Sequence, residues 1–102
     1  MEKKKNRTKI TVLKCFDTKE VFKKPPVKAN YSGPCPYFKK GQVFYADGIT
    51  MPSGFCPLAW HVLSPPVFLL ARGGNEPWYE PGVSVKCCTD GFRPVVFKLE
   101  RK

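Results

Sequence analysis

An α+β fold, a small, mostly antiparallel sheet with two or three short helices on one face, is predicted by three observations. The chain opens on a strand-like alternation and closes on two strand-like runs joined as a hairpin. Between them, around residues 56–72, apolar residues recur at helical spacing. A length of 102 residues fits one domain. Residues 9–102 are assigned to it, and residues 1–8 to a basic flexible tail.

Residues 9–16 alternate as a strand, with Ile10 and Val12 on one face and Thr11 and Leu13 on the other. Asp17 and Glu20 have capping-box spacing, so residues 18–23 should form a helical turn or two, stopped by Pro25-Pro26. A loop leads through Gly33 to Cys35-Pro36, and residues 41–48 form a second strand. A short helix carrying Leu58, Trp60 and Val62 begins at Cys56. A second begins at Ser64, where proline suits a first helical position, and Gly73-Gly74 ends it. Residues 83–88 and 92–100 form the closing hairpin across Thr89-Asp90-Gly91. Pro94 has no N–H, and a two-residue turn would set it at a hydrogen-bonded site opposite Cys87. A longer loop or a bulge is therefore expected near the cysteines.

The net charge is +10, and residues 1–28 carry ten Lys or Arg against Glu2, Asp17 and Glu20. Such a region can contact nucleic acid or an acidic partner, although a solvated extension is its commoner role. In the basic tail, no aromatic residues interleave with the bases. The apolar run of residues 65–71 is far too short for a bilayer, and the basic N-terminus leads into a strand instead of an export signal. A cytoplasmic location without membrane contact follows as the expectation. There the five cysteines would persist as thiols or metal thiolates. Their odd number also speaks against a fully paired disulfide framework.

Cys35 lies in a Pro-Cys-Pro loop, Cys56 at a helix start, and Cys87 and Cys88 at a strand end. Adjacent strand residues point to opposite faces, so either one of Cys87 and Cys88 faces the core and the other a site, or a bulge near Gly91 re-aims one of them. Backbone amides at a helix start favour thiolate at Cys56, and Arg93 adds positive charge near the hairpin end. Three readings compete. One is a thiolate site for Zn²⁺ or iron built from Cys35, Cys56, Cys87 and Cys88, although no Cys-x-x-Cys pair supports it. Another is redox or nucleophilic chemistry between a reactive cysteine and a resolving partner. The last is inert packing, the common fate of a buried thiol. Cys15 fits inert packing best. His61, the single histidine, excludes a multi-histidine centre. Trp60 and Trp78 are pocket-lining or core aromatics.

The segments Gly33-Pro34-Cys35-Pro36, Gly54-Phe55-Cys56, residues 73–78 (Gly-Gly-Asn-Glu-Pro-Trp) and residues 87–97 (Cys-Cys-Thr-Asp-Gly-Phe-Arg-Pro-Val-Val-Phe) resemble a family of short prokaryotic proteins. That family carries a Cys-Pro loop, a Gly-Phe-Cys turn, a Gly-Gly-Asn-x-Pro-Trp loop and a Cys-Cys-Thr-Asp-Gly-x-Arg-Pro-Val hairpin, and has no assigned activity. The resemblance implies that Cys35, Cys56, Cys87, Cys88, Asp90 and Arg93 act as one set, and it names no substrate. The leading expectation is a small cytosolic protein with a cysteine-thiolate site, metal-binding or thiol-redox, supported by Asp90, Arg93 and Trp60. The alternative is a module that binds nucleic acid or an acidic partner through the basic N-terminal region. An enzyme acting on a small anion through Arg93 and a cysteine is a weaker third.

Overall fold

A computed structural model of the chain describes residues 7–102, and the first six residues of the expected basic tail lie outside them. The elements are β1 (Thr8–Cys15), α1 (Thr18–Val21), β2 (Val43–Ala46), α2 (Pro57–Ala71), β3 (Val83–Cys87) and β4 (Val95–Arg101). The strands form one antiparallel sheet in the order β2-β1-β4-β3, with the first and last strands paired at its centre. The expected α+β class is therefore what forms. Helix α2 covers one face, packing on β1, β3 and β4.

Alternation along the strands divides these two faces. Ile10, Val12, Val95, Phe97 and Leu99 are fully buried beneath α2, while Lys9, Thr11, Lys98 and Glu100 lie on the open side. The boundary drawn before residue 9 is corrected by Thr8. It opens β1, is fully buried, and donates its hydroxyl to the Val67 carbonyl of α2. Partnered in this way, the hydroxyl tolerates a core position that its polarity alone argues against.

The α1 turn has the complete capping box: Asp17 accepts from the Lys19 amide, and Glu20 accepts from the Asp17 amide. The expected pair of helices from Cys56 and Ser64 is instead one continuous helix with Pro65 and Pro66 inside it. These prolines remove the amides that would donate to the carbonyls four residues earlier. The apolar stripe explains why the helix nonetheless continues. Ala59, Leu63, Val67 and Leu70 are fully buried in one line across the proline pair, so a break would lift one half off the sheet. Leu58, on the same helix, is exposed.

Gly73-Gly74 stops α2 as expected, in a Schellman arrangement. Gly73 has φ +89° and donates to Leu70, and Gly74 donates to Leu69. Arg101 then reaches back from β4 to donate to the Leu70 and Gly74 carbonyls at 3.1 and 2.7 Å. A cation at a helix C-terminus complements its dipole, so the last strand and the helix end stabilise each other.

Candidate functional site

The hairpin loop is longer than two residues, and its first rung builds the site. Val96 lies opposite Cys87, and the Cys88 amide donates to the Val95 carbonyl at 3.0 Å. The returning amide of Val95 donates to Cys88 Sγ at 3.3 Å instead of completing the backbone pair. This diverted bond holds the sulfur at the end of the ladder, on the α2 side. Pro94 follows beyond the last paired residue, where no amide is needed, and its carbonyl accepts from Phe16 beside β1. Cys87 points the other way and is exposed.

Cys35 and Cys56 reach the same place from loops pinned by an aromatic cluster. Phe38 and Phe55 are buried with centroids 5.0 Å apart, and each also packs on Phe44 and Phe97. Phe55 directly precedes Cys56, and Phe38 lies three residues after Cys35, so the cluster anchors both cysteine segments over the sheet. Cys56 is the residue before α2, and its side chain makes no capping hydrogen bond.

Cys35, Cys56 and Cys88 together line a cavity of about 110 Å³ that Asp90 and Arg93 also border. Around it the Asp90 carboxylate accepts from the Phe92 and Arg93 amides and from the Tyr31 hydroxyl. Burial by itself pushes the Asp90 carboxyl up, but these hydrogen bonds and the Arg93 charge outweigh it and hold it below the usual carboxylate range. The Arg93 guanidinium lies over the Tyr31 ring at 3.6 Å, and its Nε faces Asp90 at 3.5 Å as an ion pair without hydrogen-bond geometry. Tyr31, Asp90 and Arg93 thus clasp the loop before Cys35 to the hairpin that carries Cys88. Trp60 packs edge-on against Phe55 and does not line the cavity. His61 is exposed on α2.

Of the four cysteines expected to act together, three converge and Cys87 does not. Cys15, set aside in the sequence, lies beside the cluster instead. The pairing of β1 with β4 slips between Val12 and Lys14, which sets Cys15 opposite the buried Val95. Strict alternation from Val12 would turn Cys15 outward, and this one-residue bulge turns it inward. Its thiol donates to the Phe38 carbonyl at 3.5 Å. Burial, then the nearness of Cys35 and Cys88, pushes the Cys15 thiol up, so it remains protonated and serves as a donor that fixes the Cys35 loop.

All five cysteines are unpaired. Among the described residues, no group of three or more His, Cys, Asp or Glu side chains is placed to hold a metal ion. A cleft of about 660 Å³ opens between α1 and residues 25–33 and contains no cysteine. No described helix is long and apolar enough to cross a membrane.

The Gly-Gly-Asn-Glu-Pro-Trp loop has a structural role. Asn75 accepts from Arg101 and from the Gly82 amide, and Glu76 pairs with Lys86 at 2.8 Å and accepts from Ser84. These bonds strap the loop to strand β3. Compared with known proteins, the chain matches no family model, no curated protein and no solved structure.

Proposed function

We propose that this is a small cytosolic thiol-redox protein whose reactive sulfurs are Cys35, Cys56 and Cys88. The observation that carries this reading is the convergence of three thiols, from a loop, a helix start and a hairpin, on one small cavity. Sulfurs that border one cavity are the groups between which thiol–disulfide exchange would run, a step open only to cysteines whose Cα atoms come within about 7 Å. The metal-thiolate alternative, with Zn²⁺ or iron, has less support, because no suitable ligand group is preformed among the described residues.

The reaction balances with hydrogen peroxide as oxidant. One thiolate attacks the O–O bond, forming a sulfenic acid and releasing hydroxide. A second thiolate displaces the sulfenic hydroxyl as another hydroxide, leaving the disulfide. The two thiol protons neutralise the two hydroxides, so two electrons pass from sulfur to peroxide. Arg93 borders the cavity with a fixed positive charge where the thiolates form.

Treatment of the reduced protein with hydrogen peroxide, followed by peptide mapping, tests this. The expected product is one intramolecular disulfide between two of Cys35, Cys56 and Cys88, which dithiothreitol reverses. Oxidation confined to Cys87 would overturn the reading. Stoichiometric zinc or iron in anaerobically purified protein, lost together with the cavity cysteines, would establish the metal reading in its place.

A further inference from the structure

We propose that the open face of the sheet binds single-stranded nucleic acid, independently of the cysteine cavity. The basic tail carries no aromatics, but strand pairing brings bases and aromatics together in space. Lys9 lies opposite Tyr45 on one side and Glu100 on the other, and Thr11 lies opposite Val43 and Lys98. The Arg7 guanidinium sits 4.7 Å from the centroid of the Tyr45 ring, and Lys14 lies over Phe16 at 4.6 Å.

The charge on this face is strongly one-sided. Alternation along β1 and β4 sets Arg7, Lys9, Lys98 and Lys102 on it, the bulge after Val12 adds Lys14, and the acids among them are Glu100 and Glu20, which pairs with Lys14 at 3.4 Å. Lys98 and Lys102 both approach Glu100, at 3.4 and 4.0 Å, so that carboxylate offsets only part of their charge. The basic run Lys3-Lys4-Lys5 leads directly into the central strand of the same sheet. A polyanion is the complementary partner for such a surface.

The apolar groups select single-stranded nucleic acid among polyanions. Tyr45 remains 45% exposed beside the Arg7 guanidinium, so it supplies an aromatic surface on which a base can stack. Leu13, Val43 and Val85 are similarly exposed on the same face, giving sugars and bases apolar contact between the lysines. In RNA-recognition modules an open four-stranded sheet stacks about two or three bases on its exposed aromatics, and Tyr45 is the strand aromatic that could do so here. Duplex DNA is a poor fit. Groove reading needs a protruding helix or ribbon, and α2 is packed on the opposite face.

The test is fluorescence anisotropy of a labelled, mixed-sequence single-stranded oligonucleotide with the full, reduced chain. Binding should weaken roughly 20-fold between 50 and 200 mM salt if about three phosphates are contacted, each releasing ~0.7 counterion. The double variant Lys9→Gln/Lys98→Gln should lower the salt slope by about 0.7 per charge. Tyr45→Thr should weaken binding about tenfold, the scale of one lost base stack, with little change in slope. Cys56→Ser and Cys88→Ser should bind as the parent does. Four results would each overturn the proposal: no binding at 50 mM salt, equal capture of duplex, equal capture of polyglutamate, or binding that Lys3→Gln/Lys4→Gln/Lys5→Gln abolishes while the sheet variants retain it. Unchanged thermal unfolding of the lysine variants shows that they are folded, so the result stands even if Tyr45→Thr does not fold.

Discussion

Glu76 is the acid most deeply committed to the fold, with a side chain only 12% exposed against Lys86. Burial by itself raises its carboxyl, but the Lys86 and Ser84 hydrogen bonds and the Lys86 charge outweigh it and leave it below the usual range. A carboxylate lowered on folding adds stability that is complete above its unfolded value, about 4.3. That stability is lost as pH falls through the lowered folded value. Glu76→Gln should therefore cost about 1–3 kcal/mol at pH 7, since it leaves Lys86 half-buried without its counter-charge. The gap between variant and parent should close as the pH falls below about 4. Urea unfolding at a series of pH values checks both expectations, and a constant gap across the acid range would show that Glu76 acts by packing alone. This pair was invisible along the chain. Glu76 reads as an ordinary loop acid, and only the fold of residues 75–82 against β3 gives it a buried partner.

At the scale of elements, Pro65 offers the clearest decision. In a helix starting at Ser64 it would occupy a favourable first-turn site, and alanine there would be neutral or harmful. Inside the continuous helix α2 it withholds the amide that would donate to the His61 carbonyl, and interior proline costs about 3 kcal/mol relative to alanine. Proline also restrains the unfolded chain by about 0.4–1 kcal/mol, which offsets part of that cost. Pro65→Ala should accordingly raise stability by about 2–2.5 kcal/mol, read as a higher urea midpoint with an unchanged m-value. Local grammar made much of the fold legible: the Asp17–Glu20 box, the Gly73-Gly74 stop, the strand alternation, and Pro94 as the mark of a long hairpin loop. Two features were not legible because they depend on partners. The stripe of Ala59, Leu63, Val67 and Leu70 overrides the proline signal only because the sheet lies beneath both halves of the helix. The bulge between Val12 and Lys14 leaves no mark in β1 itself, yet it decides that Cys15 turns inward. The opposite facing of Cys87 and Cys88 does follow from strand alternation. Which of the two faces the cavity is settled by the register with β4.

At the scale of the whole molecule, the cysteine cavity sits where the sheet, the start of α2 and the Cys35 loop meet, so a bond formed there constrains the entire domain. A chain of this size commonly has only about 5–15 kcal/mol of net stability. A disulfide from Cys88 to Cys35 or Cys56 closes a loop of several tens of residues, and chain entropy then stabilises the fold by roughly 4 kcal/mol before native strain is subtracted. For a domain near 100 residues, each kcal/mol moves the unfolding midpoint by about 4–8 °C. Peroxide-treated protein should thus melt at least about 10 °C higher than reduced protein, and dithiothreitol should restore the lower midpoint. The exposed Cys87 supplies a competing intermolecular route, so the measurement belongs in a Cys87→Ser background, where covalent dimers should disappear and the thermal shift should remain. Cys35→Ser, Cys56→Ser and Cys88→Ser, taken singly, should identify the bonded pair, because two of them abolish the shift and the third leaves it. An oxidised form that melts lower than the reduced one would mean that closing the bond distorts the Val95–Cys88 rung or the Phe38–Phe55 cluster. In that case the cavity sulfurs would be packing groups that oxidation damages, and the redox assignment would fail.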